Sequence, residues 1–79
     1  TKIDEDSKEK EVLGRVGTVT ISADHHSNGQ AEINYNGSFL RMSIRTMENV
    51  KVAKGEKVLF IEPFDDKGVY LVEPYLEID

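Results

Sequence analysis

The chain has 79 residues, a formal net charge of −5 at pH 7 and no cysteine. That length holds one domain, whose small core buries only about 60% of the unfolded surface and leaves stability modest. Hydrophobic residues at 38% and charged residues at 32% suit a soluble globular domain; the missing thiols exclude disulfides and thiolate metal sites, and the negative charge works against a polyanionic partner.

Residues 1–11 hold eight charged side chains and one aliphatic, Ile3. Such a segment buries almost nothing, so it reads as a charged flexible linker or tail. The chain opens on Thr1 with no signal-peptide pattern, and no apolar run approaches the roughly 20 residues of a membrane-spanning helix. It therefore reads as the water-soluble piece of a longer protein.

From Val12 the texture changes to short runs rich in β-branched residues, separated by turn signals. The first predicted strand, Val12 to Ile21, carries Gly14 and Gly17 inside it. Glycine weakens a strand interior, so the pair predicts a bend or bulge that lets one strand serve two sheets. Residues 22–29 are polar and turn-like.

Gln30 to Tyr35 and Ser38 to Arg45 flank Asn36-Gly37, a dipeptide that accepts the positive φ angles of a type I′ turn. A two-residue loop sets Tyr35 opposite Ser38, Ile33 opposite Leu40 and Ala31 opposite Met42. Ala31, Ile33, Tyr35, Leu40, Met42 and Ile44 then share the core face, while Glu32, Asn34, Phe39, Arg41 and Arg45 face water. The same register pairs Glu32 with Arg41.

Residues 46–56 read as a connection. Lys57 to Phe64 and Val69 to Leu76 form a second predicted hairpin around Asp65-Asp66-Lys67-Gly68. Both strands are apolar on both faces, so barrel closure is expected to cover one side and a further contact the other. Five strands with a bent first member predict an all-β, five-stranded Greek-key barrel of OB-fold type over residues 12–79, with an SH3-like barrel as the structural rival.

From Val12 onward the chain resembles the soluble C-terminal domain of the NfeD-like family. The resemblance is carried by Leu13-Gly14-Arg15-Val16-Gly17-Thr18-Val19, Gly29-Gln30-Ala31, Lys54-Gly55-Glu56-Lys57-Val58 and Gly68-Val69-Tyr70-Leu71-Val72-Glu73-Pro74. Where many relatives continue the first glycine pair with a Leu-x-Pro element, this chain has residues 21–29, Ile-Ser-Ala-Asp-His-His-Ser-Asn-Gly, so nothing functional carries across that loop. The resemblance implies an OB-fold domain attached to transmembrane helices that this chain does not include. It also implies a bacterial cell membrane location with the domain on the cytoplasmic side, a flotillin- or stomatin-like membrane protein as partner, and a role in organising membrane microdomains. Some longer relatives carry a serine protease domain, of which this chain contains no part.

The residues themselves show little chemistry. Serines lack a base nearby in sequence. His25 and His26, with Asp24 beside them, make a poor zinc set because adjacent loop residues seldom aim at one point; an exposed polar loop is the simpler reading. Asp65 and Asp66 read as turn formers rather than as a catalytic carboxylate pair. No catalytic site, metal or cofactor is expected, and the chain is expected not to be an enzyme. Phe39, Arg41 and Arg45 on the outer face of the second and third strands form the candidate interaction surface. As an OB platform that face makes single-stranded nucleic-acid binding the alternative, extended by Lys51, Lys54 and Lys57, but one aromatic and a paired arginine argue against it.

Overall fold

Five runs of β-branched and aromatic residues become five strands in the computed structural model, which describes residues 12–76. The expected tether over residues 1–11 lies outside the described residues. The strands are β1 (Val16–Ile21), β2 (Gly29–Tyr35), β3 (Ser38–Thr46), β4 (Lys57–Pro63) and β5 (Val69–Pro74). They close into a barrel in the order β1-β2-β3-β5-β4. Every contact between neighbours is antiparallel except β3 with β5. This is the five-stranded barrel of OB type.

The β2–β3 hairpin has the expected register, with Tyr35 opposite Ser38, Ile33 opposite Leu40 and Ala31 opposite Met42. Asn36 and Gly37 both take positive φ, 52° and 86°, as a type I′ turn requires. Gly68 closes the β4–β5 hairpin at φ 89°.

The first strand differs from its expectation. It starts at Val16 rather than Val12, because the left-handed Gly14 (φ 84°) turns the chain before it. That turn is part of the barrel: Gly14 N–H donates to the Phe60 carbonyl at 2.8 Å, and Val12 sits in the core at 1% exposure. The irregularity in β1 falls between Val19 and Ile21, not at a glycine. Gly17 serves close packing instead, since a Cβ there would stand 2.7 Å from the Glu32 carbonyl oxygen and 3.1 Å from the Phe60 ring. With β2 on one edge and β4 on the other, β1 joins the two ends of the sheet.

Inside lie Val19, Ala31, Ile33, Ile44, Val58, Phe60, Tyr70 and Val72, with Phe60 and Tyr70 edge to face at 5.9 Å. Outside, Leu59, Ile61 and Leu71 stay half-buried. Closure therefore covers one face of the β4–β5 hairpin and leaves these three partly open to water.

Candidate functional site

Alternation along β3 puts Phe39, Arg41 and Arg45 on one outward face, as the sequence predicts, but the strand is long enough to separate them. Phe39 and Arg45 are six positions apart, about 20 Å at the rise of an extended strand. The three residues span the length of the outward face, with Arg41 between its two ends.

At the turn end, Phe39 is 68% exposed and faces Asn34 across the ladder. Arg41 is turned to Glu32, with Nε 3.2 Å from Oε2. The Arg15 guanidinium lies over the Tyr35 ring at 5.0 Å, which places the entry to β1 beside the tip of the β2–β3 hairpin.

At the other end Arg45 is built into a cluster. Its Nε donates to Asn28 Oδ1, its Nη1 donates to the His25 carbonyl at 3.1 Å, and its guanidinium stacks over Phe64 at 5.2 Å. The β1–β2 loop and the β4–β5 turn thus meet on an arginine of β3. His25 is half-buried rather than the exposed loop residue expected from sequence. Its Nδ1 lies 3.0 Å from the Thr46 carbonyl, which assigns the proton to Nδ1. Its ring meets Phe64 at 6.5 Å and His26 at 5.2 Å, each edge to face.

Local turn chemistry brings His25 there. Asp24 Oδ1 accepts the N–H groups of His26 and Ser27, both at 2.7 Å, which folds the loop back on itself. These bonds, that from His26 first, hold the Asp24 carboxyl below its ordinary pKa. The Asp24 spacing to Ser27, Asn28 and Gly29 was the visible sign of such a turn. Beyond His25 an open groove of about 560 Å³ runs between the loop and the β3–β4 connection, lined by Asp24, His25, His26, Glu48, Val50 and Lys51. Among the described residues no group of His, Asp and Glu is placed to hold a metal ion. Asp65 Oδ1 accepts the N–H groups of Lys67 (2.9 Å) and Val69 (3.3 Å), in keeping with its reading as a turn former. Of the lysines considered as a basic strip, Lys57 donates to Thr18 Oγ1 at 3.1 Å and Lys51 borders the groove.

No protein-family model matches the chain, and no curated protein does. Solved structures do share its fold. The soluble domain of the NfeD protein YuaF from Bacillus subtilis superposes with a TM-score of 0.71 at 24% identity, over 98% of each chain. The C-terminal domain of a stomatin operon partner protein from Pyrococcus horikoshii gives 0.62 at 25% identity, over 86% of this chain and 94% of that one. The soluble domain of a Corynebacterium glutamicum membrane protein implicated in regulation of membrane protease activity gives 0.59 at 19% identity, over 85% and 98%. The likeness to NfeD-type soluble domains, carried in the sequence by the glycine-bearing runs, extends to the whole barrel.

Proposed function

We propose that this chain is the water-exposed domain of a bacterial membrane protein of NfeD type. There it acts as a non-catalytic adaptor that helps assemble or organise flotillin-type membrane microdomains, on the cytoplasmic side. The observation that supports this most is the match of the complete barrel to soluble domains of an NfeD protein and of a membrane protein. A stomatin operon partner with the same fold supports a flotillin- or stomatin-like partner. The engagement of Asp24 and Asp65 in their own turns supports a role in binding rather than catalysis.

Tethering changes the arithmetic of recognition. Sites joined by a short flexible linker experience an effective concentration that reaches the mM range, so contacts too weak to hold in solution suffice in place. The charged residues 1–11 suit such a linker. The test compares, in cells, the full-length protein with a version lacking residues 12–79. The expected result is that flotillin clusters disperse or lose co-localisation with the membrane anchor. Unchanged clusters would assign the role to the membrane part.

A further inference from the structure

We infer that Arg45 is a receptor for one carboxylate side chain, presented by an extended and otherwise uncharged segment of a protein partner that docks where the β1–β2 loop meets Phe64. The inference rests on reading this domain as a protein-interaction module and names the chemistry of what it takes.

Arg45 is held without being neutralised. Its partners are the amide oxygen of Asn28, the carbonyl of His25 and the ring of Phe64. Among the described residues Arg41 has a carboxylate at ion-pair distance and Arg45 has none. Two neutral acceptors and an aromatic face fix the plane of the guanidinium, while its charge and the rest of its N–H fork stay available at a half-exposed site. A group fixed in place before binding loses less rotamer freedom on binding, which is the condition for a specific contact.

The surroundings select the anion. A carboxylate is planar, carries a single charge and matches the fork in a bidentate pair. A polyanion meets repulsion from Asp24 in the adjoining loop, from Asp65 and Asp66 directly after Phe64, and from a chain of net charge −5. The wall beside the guanidinium is apolar: Phe64 is 37% exposed, with the edge of His25 against it. An acidic residue with an apolar neighbour fits this pairing of charge and ring. His25 also borders the 560 Å³ groove, where Val50 and Lys51 lie beside the carboxylates of Asp24 and Glu48, so the part of the segment that enters it carries no further negative charge. A segment of several residues therefore has a path from Phe64 over His25 into the groove.

The test is an NMR titration of the 79-residue chain, following the Arg45 Nε–H and the backbone amides of Asn28 and Phe64. The probes are a blocked peptide with a single glutamate among leucines and serines, the same peptide with glutamine in place of glutamate, and inorganic phosphate. The glutamate peptide is expected to shift these resonances saturably. The glutamine peptide, and the glutamate peptide on Arg45→Gln, are expected to bind about tenfold more weakly or worse. Arg45→Lys keeps the charge but not the fork, and is expected to lose most of the affinity. No shift with the glutamate peptide, or equal affinity for the glutamine peptide, would overturn the inference, and both are read on the unaltered chain. Phosphate binding as tightly as the glutamate peptide would overturn the assignment to a protein carboxylate. Because the adaptor role is tested by cluster formation in cells, failure of one reading is distinct from failure of the other.

Discussion

Gly29 has no room for a side chain. A Cβ built there would stand 2.3 Å from the Ile21 carbonyl oxygen and 2.4 Å from that of Ser22, and neither backbone atom can swing aside. Gly29→Ala is expected to cost about 3 kcal/mol or more, a large part of what a domain this small has; urea unfolding reads it as a lowered midpoint. Gly37 is the opposite case, with nothing within 4 Å of its Cβ position but a φ of 86°. Gly37→Val is expected to cost about 1–2 kcal/mol through the backbone angle alone, and Gly37→Asn much less, because asparagine tolerates that region. At Asp24 the bonds from His26 and Ser27 favour the charged form and depress the folded pKa. Its contribution is therefore complete above the unfolded-state pKa and is lost as pH falls through the folded one, below about pH 4. Unfolding midpoints measured from about pH 6 to pH 2 are expected to fall less steeply in Asp24→Asn than in the parent chain.

The β2–β3 hairpin was legible because every contact in it is local. The Asn36-Gly37 loop sets the register, the register sets the faces, and Ala31, Ile33 and Ile44 are buried where alternation places them. Even the Glu32–Arg41 pair follows from counting outward from the turn. That pair adds little, since the Arg41 side chain is 70% exposed. Arg41→Ala is expected to cost less than about 1 kcal/mol and less still in high salt. Phe39→Ser on the same strand is expected to stay within about 0.5 kcal/mol of the parent, whereas Phe60→Ala in the core costs about 3–5 kcal/mol; chemical denaturation of the three variants checks the order. The start of β1 was not legible. A β-branched residue in a buried turn, Val12, has the same sequence signature as one in a strand. What separates them is the Gly14 N–H bond to Phe60, a residue far along the chain.

Closure gives the barrel no free edge strand, which removes the template that open sheets offer for aggregation. The same closed shape presents an outer β2–β3 face with one exposed aromatic, Phe39, and an arginine already paired. Single-stranded oligonucleotides are accordingly expected to bind more weakly than the micromolar range at physiological salt. A fluorescence anisotropy titration checks this, and tighter binding lost in Phe39→Ala or Arg41→Ala would favour the nucleic-acid alternative. The amino-acid sequence by itself determined the number of strands, the two hairpins and the register of the first, because turn residues and period-two alternation act over a few residues. Only the tertiary structure decided the parallel β3–β5 contact and the β1–β4 seam, since hydrogen bonds between distant strands leave no trace in local pattern. The same holds for the candidate site. Sequence alternation put Phe39, Arg41 and Arg45 on one face, but strand length set Phe39 and Arg45 apart. Folding of the β1–β2 loop and the β4–β5 turn toward each other brought His25, Asn28 and Phe64 onto Arg45, a meeting of residues that barrel closure alone makes neighbours.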